Sequence, residues 1–318
     1  MLKKVKRFFK WTGITLVMIL LVLSAVVASR QHQTFEAPYP NIKASTDPAV
    51  IARGKELVYG ISQCVDCHAP GNVDSLVRLG IEPELKGGRF MELPFGTLYV
   101  KNITPDEETG IGRLTDAEIA RTLRYGVNSH GAANLMPERN FTDEDLTAVV
   151  SFLRSQKPVH NKVPQTSLNV MGAVVKAFLI KPPVRTEPIP ASIKRDTTAA
   201  YGKYLATAVS ECAGCHTGGM MPGAEPGAPF AGGDPIPDPK FEDLTPPNLT
   251  PHPEGRIYKW SQEDFIKRFR MGKVIPHSHM PWESFKKVSD NDLKAIYNFL
   301  KSLPPQKTHV TKTEEAKS

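Results

Sequence analysis

The sequence predicts an all-α fold: two copies of one helical domain in tandem behind an N-terminal transmembrane helix. Three observations carry that prediction. An uncharged apolar run follows a basic cluster at the N-terminus, one five-residue motif occurs twice at a spacing of 148, and the segments around that motif repeat in the same order. The 318 residues leave room for roughly two domains. With 40% apolar and 23% charged residues, most of the chain can bury a core. The 28 prolines, about 9% against a usual ~5%, predict short helices separated by long ordered loops.

The first element, residues 1–30, reads as a membrane anchor. Lys3, Lys4, Lys6, Arg7 and Lys10 precede a run from Trp11 to Ala28 without one charged side chain. Eighteen helical residues span about 27 Å, the thickness of a hydrocarbon core. Cations before the run and only Arg30 soon after it put the N-terminus in the cytoplasm and the body in the periplasm. A cleaved signal peptide is the competing reading, because Val26-Val27-Ala28 offers small residues to a peptidase. The formal charge of +7 is accounted for largely here: residues 11–318 hold 35 bases against 33 acids. That excludes the clustered positive surface a nucleic-acid groove needs.

The four cysteines fall in two motifs, Cys64-Val65-Asp66-Cys67-His68 and Cys212-Ala213-Gly214-Cys215-His216. C-x-x-C-H is the attachment signature of c-type haem. Thiols at i and i+3 of one helical turn reach the two vinyl groups of a porphyrin, and the next residue aims an imidazole at its iron. Thioredoxin-like redox disulfides would not need the following His. A four-thiolate zinc site would need both pairs together. The expectation is two covalent haems, on Cys64, Cys67 and His68 and on Cys212, Cys215 and His216.

The repeat extends beyond the motifs. Gly54-Lys55 through His68 aligns with Gly202-Lys203 through His216, Asn102-Ile-Thr-Pro with Asn248-Leu-Thr-Pro, and Thr142 through Leu153 with Ser289 through Leu300. Offsets between 144 and 148 indicate a duplication with loop changes. The predicted organisation is a first haem domain over 47–158, a linker over 159–197, a second domain over 198–304 and a polar tail over 305–318. Asp47-Pro48 supplies an N-cap and an N1 proline. Thr115-x-x-Glu118 and Ser261-x-x-Asp264 read as capping boxes, the second looser. Leu146, Val149, Val150 and Leu153, and then Leu293, Ile296, Tyr297 and Leu300, mark one apolar stripe on each terminal helix. No segment alternates convincingly with period two. The linker's apolar patch, Val170 to Ile180, reads as a short packed interdomain segment; it is too short for a second span and carries Lys176.

Sixth ligands follow from position. Met136 and Met280 each stand directly before proline, just upstream of the terminal helix of their copy. His/Met coordination raises a haem's potential relative to other axial sets. Met91, Met220, Met221 and Met271 read as gap-fillers. His277 and His279 beside Met280 leave a bis-His second haem open, as His130 does more weakly for the first. His32, His160, His252 and His309 read as solvated or loop residues.

The run Pro94-Phe-Gly-Thr-Leu-Tyr, Asn102-Ile-Thr-Pro-Asp, Thr109-Gly-Ile-Gly, Leu114-Thr-Asp-Ala-Glu-Ile-Ala-Arg and Asp143-Glu-Asp-Leu resembles the cytochrome c subunits of membrane-bound alcohol and gluconate dehydrogenases, within the class I cytochrome c superfamily. The resemblance implies tandem cytochrome c domains with His/Met haems. It also implies electrons received from a dehydrogenase and passed to quinone, a terminal oxidase or another cytochrome. Those subunits carry three haem motifs, whereas this chain has two. The alternative class is a di-haem enzyme such as a peroxidase, in which Glu138 and His130, or Glu283 and His279, would serve as a distal acid or base.

Overall fold

The computed structural model describes residues 2–136, 138–182, 188–219, 225–238 and 240–309. The expectations for Pro137, Met220, Met221 and the tail beyond 309 lie outside the described residues. Helix α1, Leu2–Arg30, is long and apolar enough to cross a membrane. Its side chains from Ile14 to Leu23 are all exposed, the reverse of a core helix.

The first repeat then runs through α2 (Pro48–Tyr59), the one-turn α3 (Cys64–His68), α4 (Val73–Arg78), strands β1 (Phe90–Leu93) and β2 (Gly96–Tyr99), α5 (Asp116–Tyr125) and α6 (Asp143–Ser155). Strand β3 (Ser167–Leu168) and α7 (Val170–Phe178) follow. The second repeat has α8 (Ala199–Tyr204), continued by a π-helical turn (Leu205–Val209), then α9 (Cys212–His216), α10 (Gln262–Arg270), α11 (Trp282–Phe285) and α12 (Asp290–Ser302).

Local chemistry sets these helices. The Asp47 carboxylate accepts from Ala49 N at 2.8 Å, with Pro48 at N1. Both capping boxes close. Glu118 accepts from Thr115 N at 2.7 Å and Asp264 from Ser261 N at 3.0 Å, so the shorter Asp reaches as well as Glu does. The apolar stripe of α6 is buried at Leu146, Val149, Val150 and Leu153; that of α12 is buried at Leu293, Ile296 and Leu300.

Each repeat is closed by one helix crossing held by a glycine. A Cβ on Gly54 of α2 would lie 1.9 Å from the Ala148 carbonyl oxygen of α6. A Cβ on Gly202 of α8 would lie 1.9 Å from the Ala295 carbonyl oxygen of α12. Only a residue without a side chain permits such an approach. Phe152 and Phe299 sit at matching places beside these glycines.

The two repeats pack on one another across an approximate two-fold relation. Arg53 is buried between the equivalent aspartates of the two copies, bonded to Asp145 (Nε to Oδ1, 2.9 Å) and 3.7 Å from Asp292. It also donates to the Tyr201 hydroxyl at 3.2 Å. Tyr201 stands at Arg53's own equivalent position. The Tyr204 hydroxyl donates to Asp145 at 2.7 Å. Burial would by itself depress the guanidinium's pKa, but the carboxylate of Asp145 overrides it and keeps Arg53 charged.

The structure corrects the expectation of an all-α chain. β1, β2 and β3 form a small antiparallel sheet, with Phe90 opposite Tyr99 and Thr97 opposite Ser167. Three of the four β1 residues are exposed, so neither face is buried and no period-two pattern marks it. Segments next to the expected domain limits bond back to the repeats. Val159 and Asn161 stay bonded to the first repeat, and Gln306 and Thr308 to the second.

Candidate haem sites

Each attachment motif is one turn of helix entered through a left-handed residue, Gln63 (φ 59°) before α3 and Glu211 (φ 53°) before α9. The reversal sets the helix start, so the first Cys of each motif faces the core and the second faces out. Cys64 and Cys212 are half-buried and packed against the core; Cys67 and Cys215 are exposed. None of the four is paired in a disulfide. Burial pushes the Cys64 thiol up to about 11 and raises the others as well.

The two motif histidines have the same hydrogen bond. His68 Nδ1 lies 2.8 Å from the Lys101 carbonyl oxygen, and His216 Nδ1 lies 2.8 Å from that of Pro247. A carbonyl can only accept, so Nδ1 carries the proton and Nε2 keeps its lone pair for a metal. Burial lowers the pKa of both imidazoles, which favours that neutral form.

The backbone that directly follows each carbonyl is pinned by residues whose role the sequence analysis did not assign. The Asn102 amide donates to Val159 O at 2.8 Å, while its oxygen accepts from Thr104 N at 2.9 Å and from the Thr104 hydroxyl at 2.8 Å. In the second repeat Asn248 donates to Gln306 O at 2.8 Å, and its oxygen accepts from Thr250 N and the Thr250 hydroxyl at 2.8 Å each. Asn102, Thr104, Asn248 and Thr250 are all buried. The repeated Asn-x-Thr-Pro was the signal that could have found them: it fixes the carbonyl that orients each histidine.

Met136 and Met280 occupy matching turns. The Met136 N–H donates to Asn134 Oδ1 at 3.0 Å and the Met280 N–H to Ser278 Oγ at 3.3 Å. Both side chains are half-buried against the core. Met280 also lines a cavity of about 590 Å³ between the repeats, with Asp66, Cys67 and Arg89 on its other side. The Gln63 amide donates to Ser210 O at 3.3 Å, so the entrances to the two motifs touch.

The remaining candidates have other partners. His277 stacks on Phe241 at 4.8 Å, His279 is exposed at the cavity edge, and His130 is exposed on a turn. Glu283 is buried and accepts from Lys273 N at 3.2 Å. Arg124 and Arg270 are anchors for the loops before α6 and α12, donating to Phe141 O at 3.0 Å and Val288 O at 2.6 Å. His309 lies in a loop, one of its two readings, but is not solvated: its ring fills the space over Gly218, where a Cβ would stand 2.0 Å from it, and reaches Gly227.

This donor set fits haem c. Among the described residues no three His, Cys, Asp or Glu converge as a bare metal site, yet each motif presents two thiols and a tautomer-fixed imidazole from one short helix. Residues 199–304 match the family profile for cytochrome c. The second repeat belongs to the cytochrome c family. Over 287 residues the chain is 31% identical to the cytochrome c subunit of the alcohol dehydrogenase (quinone) of Gluconobacter oxydans strain 621H, covering 81% of this chain and 55% of the relative. It is 26% identical over 315 residues to the fructose dehydrogenase cytochrome subunit of Gluconobacter japonicus, covering 94% and 60%. It is 23% identical over 273 residues to a diheme cytochrome c-type protein of Cereibacter sphaeroides, covering 78% and 84%. The chain thus spans 55% to 60% of the two dehydrogenase subunits.

Proposed function

We propose that this chain is a di-haem electron carrier, anchored by α1 with both repeats in the periplasm. It would pass electrons from a dehydrogenase partner toward the respiratory chain through quinone, a terminal oxidase or another cytochrome. The observation that carries the reading is the duplicated histidine geometry: two C-x-x-C-H turns, each with Nδ1 bonded to a carbonyl at 2.8 Å. Cys64 and Cys67 would hold one haem with His68 and Met136 as axial ligands. Cys212 and Cys215 would hold the other with His216 and Met280. Bound haem supplies a one-electron iron couple whose potential its axial ligands set.

The protein's share is orientation and shielding. The Asn-x-Thr-Pro loops fix each imidazole, Asn134 and Ser278 fix the backbone of each methionine, and the buried helix pairs keep water from the proximal side. The contact between Gln63 and Ser210 supports exchange between the two sites, since it brings their attachment turns together. The peroxidase alternative has no observation in its favour: Glu283 is engaged with the backbone of Lys273, and two of the three relatives named above are cytochrome subunits of dehydrogenases.

A pyridine haemochrome assay on the purified chain tests haem number, with two covalent haems expected. Met136→Ala should keep both haems and remove about half of the weak Met–iron band in the oxidised spectrum, while lowering one potential. One haem per chain, or a spectrum unchanged by both Met136→Ala and Met280→Ala, overturns the assignment.

A further inference from the structure

The linker helix α7 is built inside out for a surface helix. Val170, Met171, Val174 and Phe178 lie within an arc of about 100° on one side of it, and that side faces outward. Val170 is 85% exposed, Met171 53%, Val174 42% and Phe178 38%, and Leu179 just beyond is 74% exposed. The inward side holds Gly172 and Ala177, with half-buried Lys176 turned away from the apolar arc. An amphipathic helix in water shows the opposite arrangement.

The helix is rigidly seated. The Asn169 side chain caps it, accepting from Gly172 N at 2.9 Å and donating to Pro94 O at 2.9 Å. Gly172 lies so close to the Phe95 carbonyl that a Cβ would stand 2.1 Å from it. α7 cannot roll its apolar side under without losing these contacts.

Its position says what covers it. α7 packs against the end of α1: Arg30 donates to Ala177 O at 3.3 Å, and its guanidinium lies 4.9 Å over the Phe178 ring. Arg30 stands two residues, about 3 Å of helix, past Ala28, where the uncharged run ends. If α1 spans a bilayer, α7 is held at the level of the headgroups. Arg30, Lys176 and Lys181 add cations there, as interfacial helices carry beside their apolar face.

We propose that α7 is an interfacial helix whose apolar face inserts into the outer surface of the bilayer beside α1, fixing the first repeat against the membrane. The proposal rests on the reading of α1 as a retained anchor. A photo-crosslinking experiment separates the two. The full haem-loaded chain is reconstituted into phosphatidylethanolamine/phosphatidylglycerol vesicles with benzoylphenylalanine at one position, as Val174→benzoylphenylalanine, Ile19→benzoylphenylalanine or Met271→benzoylphenylalanine. Lipid adducts are then read by intact-protein mass spectrometry. Position 174 should give a lipid adduct within about threefold of position 19, and position 271, exposed in the second repeat, at least about tenfold less. Adduct at 19 without adduct at 174 overturns the surface role and leaves the anchor standing. Adduct at neither overturns both. In native membranes, crosslinking of position 174 to a protein in place of lipid would make this face a subunit interface and also overturn the proposal.

Discussion

Gly54→Ala should destabilise the first repeat, although it replaces a helical glycine with the best helix former. The propensity change alone favours the variant by about 1 kcal/mol. Against it stands the new Cβ, 1.9 Å from the Ala148 carbonyl oxygen, 2.6 Å from its carbon and 2.7 Å from Phe152 Cβ. An ordinary contact needs at least 3.4 Å, so α2 and α6 must part by roughly 1.5 Å. Two of the three obstructing atoms are backbone and cannot rotate away. Overpacking of this kind costs about 1–3 kcal/mol, more when backbone must move; with backbone on both sides the upper end applies. The net loss is then about 2 kcal/mol, or some 8–16 °C for a unit of about 100 residues. Thermal unfolding of the holoprotein followed at the haem Soret band should split into two transitions, the earlier one shifted. Gly202→Ala should shift the other by a similar amount. A variant more stable than the parent by ~1 kcal/mol, the bare propensity gain, would refute the close crossing.

Three further outcomes follow from contacts already described. Arg53→Met leaves the buried Asp145 and Asp292 without their shared cation and should cost about 3–5 kcal/mol by denaturant unfolding, whereas adding Asp145→Leu should recover part of it. Asn248→Ala removes the clamp on the Pro247 carbonyl; it should cost about 1–3 kcal/mol and leave haem covalently attached while shifting the second haem's potential. Asp106, Asp196, Glu254 and Asp264 are held below the ordinary carboxylate range by hydrogen bonds, chiefly from Thr109, Thr198, Thr308 and Ser261. Their folded values lie below their unfolded ones, so their stabilisation is complete above about pH 4.5 and is lost as pH falls through the folded values. Glu254→Gln should flatten the acid limb of the stability curve, and an acid limb left unchanged by it would contradict the assignment.

Much of this was legible in the sequence because duplication writes each signal twice. The capping boxes, the buried stripes of α6 and α12 and the matched turns at Met136 and Met280 are local patterns, and a local pattern repeated at one offset is hard to mistake. The sheet was not legible, since exposed strands of four residues leave no alternation to read. The Asn-x-Thr-Pro loops were visible as words without meaning: Asn102 finds its partner at Val159, far along the chain, and only the folded backbone shows that the carbonyl of the preceding Lys101 faces His68. The burial of His309 was not legible either, because the glycines that admit its ring lie more than eighty residues earlier.

The place of Arg53 between two equivalent aspartates has a consequence for how such a chain could arise. In a dimer of identical single-repeat chains, position 53 would face its own copy, and two buried guanidiniums would meet where Arg53 now meets Tyr201. Symmetry would forbid the arrangement, because any cation placed on one side appears on the other. Joining the copies in one polypeptide lifts that restriction, and it also raises their mutual concentration enough that the interface need not hold them together unaided. One half could then keep the charge while the other became tyrosine. On the di-haem reading proposed above, the same freedom would extend to the haem sites: once the halves need no longer match, each could drift in its surroundings and a current of electrons could acquire a direction.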